Sequence, residues 1–143
     1  MTAKGIVRVL ASPRDTLLVL RLAVMLCLVV VLARILALST LLKLLTPKVN
    51  GSKPACHDIG KITRYTESLM RLCPLFSGSP CLHRSLVLYR LLNAVGYPVM
   101  IHFGVNRKPG RLSGHSWLTF EGKPVAERTD PSKEFAVVHS FPK

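Results

Sequence analysis

At 143 residues the chain is long enough for one domain and too short for two, which usually need about 100–200 residues each. Apolar residues make up 49% and charged ones 19%, which excludes an intrinsically disordered chain. Twenty Lys and Arg face seven acids, and the excess is spread as net +7 over residues 1–54 and net +6 over 55–143. A balance this basic suits polyanions, acidic peptides or an anionic membrane surface. Nucleic acid is not the expected partner, because only 6% of residues are aromatic and none is interleaved with a basic run.

Residues 16–46 form a long apolar stretch interrupted by Arg21, Arg34 and Lys43. The uncharged run from Arg21 to Arg34 is 12 residues, shorter than the roughly 20 that a bilayer span needs. As a signal peptide the stretch is poor, since it stays apolar where a polar cleavage region belongs. Three placements remain: one or two helices packed on the domain or a partner, attachment to a membrane surface, or a span. Residues 47–54, rich in Pro, Gly, Asn and Ser, read as a linker. The expected division is therefore 1–54, a hydrophobic helical segment with its linker, and 55–143, the domain proper.

Within 55–143, Ile59, Ile62, Tyr65, Leu69 and Leu72 recur at three and four, which predicts an amphipathic helix over 58–72 that stops before Pro74. Ser79 and Pro80 then mark a helix start, the first as a side-chain cap and the second by its preset dihedral. Gly96 and Pro98 mark its end. Apolar residues cover most of this helix and leave a narrow polar strip at His83, Arg84, Arg90 and Asn93, so it should run through the centre of the domain.

After Gly96 the apolar period changes to two. Residues 98–105 and 115–120 read as strands joined by a turn-rich segment at 106–114, and Glu121-Gly122 is a hairpin signal. A further short strand is expected at 135–139. The order gives an α+β domain whose central helix packs on an antiparallel sheet.

Cys81 falls at the second position of the central helix. There the positive end of the helix dipole and the unpaired N–H groups both favour thiolate, as a nucleophile requires; a packed, inert thiol is the other reading. Cys27, Cys56 and Cys73 sit at no such helix start and read as structural. No C-x-x-C pair spells out a zinc motif, and the odd count of three that would remain after removal of an N-terminal segment suits a disulfide-stapled secreted domain poorly and fits a reducing cytoplasm. A thiolate nucleophile needs a histidine held by a third group. His115 opens a strand and shares its face with Trp117 and Thr119; His102 is mid-strand and reads as a satisfied core histidine, His83 lies round the far side of its helix, and His57 and His139 lie near segment ends. A zinc site from Cys56, His57, Cys81 and His83 would have no common structural spacing.

The segment CLHRSLVLYRLLNAVGYPVMIHFGV, followed after a gap by GHSWLTFEGKPVAE, resembles the cysteine-peptidase half of the lasso-peptide maturation B proteins, a transglutaminase-like family with a papain-like core. The resemblance covers residues 58–130, and a hydrophobic N-terminal segment is usual in that family. It implies a Cys-His-acid triad that cuts the leader from a ribosomally made precursor, without cofactor or metal. Cys81 matches the nucleophile and His115 the base. The acid, often Asp in that family, falls twelve residues after the histidine, at Glu127. A hairpin loop placed at Gly122 and Lys123 would instead set His115 opposite Asp130. The implied partners are the precursor peptide, a separate leader-recognition protein for which 143 residues leave no room, and an ATP-dependent cyclase. Acyl transfer to an amine, and a non-catalytic basic membrane-associated scaffold, are the competing functions.

Overall fold

The computed structural model describes residues 13–47, 59–72, 79–108 and 111–142. Four helices, α1 (Pro13–Ile35), α2 (Leu38–Leu45), α3 (Ile59–Leu72) and α4 (Pro80–Ala94), precede four strands. The strands are β1 (Met100–Lys108), β2 (Arg111–Phe120), β3 (Lys123–Val125) and β4 (Ala136–Phe141), with a short 3-10 turn at Pro131–Lys133 between the last two. The sheet is antiparallel with the order β3-β2-β1-β4.

The core is built on α4, which touches α1, α2, α3, β1 and β2. Leu86, Leu88, Tyr89 and Leu92 of α4 are almost fully buried, as the apolar circumference of this helix requires. From the N-terminal side the same core takes Leu22, Leu26 and Val29 of α1 and Leu41 and Leu42 of α2, and from the sheet Ile101 and Leu118. Apolar packing is thus continuous between the helices before residue 47 and those after residue 59. Polar contacts tie them as well: Lys61 Nζ lies 2.6 Å from Asp15 Oδ1, the Tyr65 hydroxyl donates to Asp15 Oδ2 at 3.5 Å, and the Thr46 hydroxyl lies 3.1 Å from the Tyr89 hydroxyl.

Helix α4 ends as its sequence predicts. Gly96 takes φ 94°, its N–H donates to the Asn93 carbonyl at 3.2 Å, and the Tyr97 N–H donates to Leu92 at 2.9 Å, the paired bonds of a Schellman cap. At its start the expectation needs correction. Ser79 occupies the cap position, but its side chain makes no capping hydrogen bond, and Pro80 alone provides the start signal.

The strands are longer than predicted. The ladder of β1 and β2 runs from Met100↔Thr119 to Lys108↔Arg111, so the expected turn at 106–114 is mostly strand. Pairing with a neighbour overrides the turn composition of Asn106 to Lys108 and Arg111 to Gly114, because each further residue pair satisfies backbone N–H and C=O groups. Glu121 and Gly122, with φ 49° and 76°, form the two-residue turn between β2 and β3, positive at both positions as a type I′ hairpin needs.

Candidate active site

Four parts of the chain meet in one cleft of about 370 Å³. Helix α3 contributes Glu67, Met70 and Arg71; α4 contributes Pro80, Cys81 and Arg84; β2 contributes His115; and Glu127 comes from the segment after β3. The first-turn N–H groups of α4 have no intrahelical acceptor, and the Ser79 hydroxyl takes none of them, so the helix start at Cys81 can face a negative charge. One turn further on, the Ser85 hydroxyl donates to the carbonyl of Ser116 at 2.8 Å. That bond pins the helix carrying Cys81 to the residue after His115.

His115 is held on three sides. Its ring stacks on Trp117 at 6.0 Å with 14° between planes, lies 5.2 Å from the Phe135 ring, and has Nε2 3.3 Å from Glu127 Oε1. When Nε2–H donates to the carboxylate, Nδ1 is left as the basic nitrogen of the neutral imidazole. The same Oε1 accepts from Arg84 Nη2, and Arg84 Nη1 lies 3.9 Å from Glu67 Oε1. Glu127 and Arg84 are only 13% and 20% exposed, so their pairing is shielded from bulk water.

The chain reaches this arrangement through a local departure from ordinary backbone geometry. Strand β3 pairs only with Leu118 to Phe120, so β2 outruns it towards His115. Ala126 then takes φ 63°, the left-handed region that a residue with a Cβ rarely adopts, and the next side chain, Glu127, reaches the histidine.

The hairpin register places Asp130 elsewhere. The pairs Leu118↔Val125, Thr119↔Pro124 and Phe120↔Lys123 put the loop at Glu121-Gly122, not Gly122-Lys123, and the pairing of β3 with β2 ends at Leu118↔Val125, short of His115. Asp130 instead caps the 3-10 turn, where its Oδ1 accepts from the Ser132 N–H at 3.0 Å and the Ser132 hydroxyl at 2.8 Å. Those bonds hold its carboxyl below the usual carboxylate range.

His102 lies on the sheet face shared with Trp117, its ring stacked on the indole at 5.5 Å, and both nitrogens lie 2.8 Å from hydroxyls, Nδ1 from Ser140 and Nε2 from Thr119. Of the remaining residues weighed from the sequence, His83 is buried in α4, His139 is exposed, and Cys56, His57 and Cys73 lie outside the described residues. Among the described residues no three His, Cys, Asp or Glu side chains gather as a metal site. Ser85 and Glu67 escaped the sequence reading, and Arg84 entered it only as part of the polar strip of the central helix. The one signal available was Arg84, a charge one turn from Cys81 on a helix that is otherwise mostly apolar.

A cysteine at a helix start, with a histidine and a carboxylate in the same cleft, is the constellation of thiol acyl chemistry. The Transglutaminase-like superfamily profile matches residues 22–140. The chain belongs to this superfamily. The match begins inside α1 and ends inside β4, so it takes in most of the apolar helix as well as the sheet. No curated protein and no solved structure matches the chain. Superfamily members are commonly cysteine-dependent enzymes, and membership supports a papain-like peptidase or acyltransferase class.

Proposed function

We propose that the chain is the leader peptidase of lasso-peptide maturation, hydrolysing the bond between leader and core through Cys81, His115 and Glu127. The observation that carries this reading is the shared cleft, with Cys81 at the start of α4 and His115 Nε2 turned to Glu127. The resemblance around Cys81 and His115 supplies the substrate class.

In the proposed reaction His115 Nδ1 takes the proton of the Cys81 thiol, and Sγ attacks the carbonyl carbon of the junction. The Cys81 backbone N–H is the candidate donor to the developing oxyanion. Imidazolium then protonates the departing amine, the C–N bond breaks and a thioester remains. Water, deprotonated by the same histidine, attacks the thioester, and the leader leaves as a free acid while the thiol is restored. Glu127 keeps its hydrogen bond at Nε2 throughout and stabilises the imidazolium.

The proposed partners are the precursor, a leader-recognition protein that presents it, and an ATP-dependent cyclase that consumes the freed amine of the core. The proposed compartment is the reducing cytoplasm, where a thiol nucleophile persists; Cys27 and Cys81 are both free thiols.

The experiment is to incubate the full chain with a precursor, with and without the recognition protein, and to read the products by mass spectrometry. Free leader acid and free core amine, absent for Cys81→Ala, are expected. An isopeptide in place of the free acid would assign the site to acyl transfer, and an intact precursor under all conditions would refute the peptidase.

A further inference from the structure

The outer side of α1 takes no part in the cleft. At about 100° per residue, every exposed residue of α1 from Thr16 to Ile35 falls within one arc of about 140°. The buried residues Leu22, Leu26, Val29 and Val30 fall on the opposite side. Inside the arc stand Leu17, Leu20, Val24, Leu28, Val31 and Ile35, each between 50% and 70% exposed. At its two borders stand Arg21 and Arg34, both exposed. A helix facing water carries polar residues on this side, and a contiguous bare apolar stripe marks a contact surface.

We infer that this face rests on an anionic lipid surface. Helix α1 lies parallel to the membrane plane, its apolar stripe in the boundary between headgroups and acyl chains. Arg21 and Arg34 lay their stems along the stripe and turn their guanidinium groups to lipid phosphates.

Three observations select this occupant. The helix Asp15–Ile35 is long and apolar enough to cross a membrane, but its inner side is closed within the core, with Leu22, Leu26 and Val29 at 0% exposure. A span would have to pull that side out of the core, whereas attachment in the plane leaves it in place. A second copy fits poorly, since two such faces packed together bring Arg21 against Arg34 or each against its equivalent. The arc holds no acid to pair with them, and the single acid of α1, Asp15, is bound to Lys61. Finally, the chain is net +13, which complements anionic headgroups.

The test is flotation of the full chain, made by cell-free synthesis in the presence of vesicles of phosphatidylcholine alone or mixed with phosphatidylglycerol. The expected result is flotation with the phosphatidylglycerol vesicles and release by alkaline carbonate. Val24→Glu/Leu28→Glu should lose at least about tenfold of the bound fraction, because both side chains leave the lipid boundary. Both positions face outward, so its circular dichroism should match the parent; if it does not, Leu20→Gln/Val31→Gln takes its place. Arg21→Gln/Arg34→Gln should lose the preference for phosphatidylglycerol. Resistance to carbonate would overturn the inference in favour of a span. Vesicle-independent dimers that the Glu variant dissolves would overturn it in favour of a second copy. Equal binding by parent and Glu variant, or flotation with neither vesicle, would remove the lipid face altogether.

Discussion

His115 and Glu127 meet through Nε2 and Oε1 at 3.3 Å, and Arg84 grips the same carboxylate oxygen. Glutamate is one methylene longer than aspartate, a length that alone would loosen an orienting contact. The guanidinium supplies a second anchor for that longer side chain. Because Arg84 lies on the helix that carries Cys81, one ion pair links the helix of the proposed nucleophile to the group that orients the proposed base.

Glu127→Gln should therefore slow single-turnover leader release by at least about tenfold, given that loss of the carboxylate in a related triad costs up to about 10⁴. Asp130→Asn should release leader at close to the parent rate, because its carboxylate is engaged with Ser132. The reverse ranking, measured side by side, would move the orienting role to Asp130.

Cys81 should react with a low dose of iodoacetamide before Cys27, although Cys27 is the more exposed thiol. His115→Ala should slow that alkylation, and Cys81→Ala should abolish leader release without changing the circular dichroism. Peptide mapping of the alkylated protein checks the first, and full activity in Cys81→Ala would remove the nucleophile.

What was legible in the sequence was local. Pro80 and Gly96 bracket α4 because each acts through its own backbone, and Glu121-Gly122 turns the hairpin for the same reason. The extension of β1 and β2 to Lys108 and Arg111 was hidden, since those residues are in strands only because they pair with each other. Counting along the hairpin failed at Asp130 because the loop sits one residue earlier than assumed, which shifts the pairing, and β3 stops at Val125. Nothing in the sequence marks Ala126 for a left-handed conformation, and the Arg84–Glu127 contact joins residues 43 apart. The addition of β4 to the far side of β1 is equally non-local.

Arg84→Gln should lower turnover and cost about 1–3 kcal/mol of stability, because Glu127 is then left partly buried without its cation. Arg84→Lys should recover part of the turnover as a single-point cation. In the Glu127→Gln background the same change should cost much less, and additive effects in that double-mutant cycle would show that Arg84 acts elsewhere.

Gly104→Ala should be destabilising for lack of space. A Cβ there would stand 2.8 Å and 2.9 Å from the Trp117 ring and 2.9 Å from the Phe135 Cβ. Trp117 stacks on both His102 and His115, and Phe135 packs on His115, so the displacement reaches the proposed base. Thermal unfolding should show a loss of about 1–3 kcal/mol, as overpacked sites do. Cys81 alkylation in the folded protein should slow in parallel.

The pH dependence of stability should carry a contribution from His102. Burial holds its imidazole below the ordinary value of 6.5, since the charged form is poorly solvated between the sheet and the Trp117 ring. With the folded value depressed, the unfolded chain binds more protons as the pH drops through 6.5. The contribution is complete above the unfolded value, is lost progressively as the pH falls towards the folded one, and does not change further below it. Urea midpoints at about pH 7.5 and about pH 5.5 should therefore differ more for the parent than for His102→Gln, whose amide bonds hydroxyls without titrating. The comparison cancels the other histidines, which both proteins share. An equal drop in the two proteins would show that His102 protonates as easily in the folded chain as in the unfolded one.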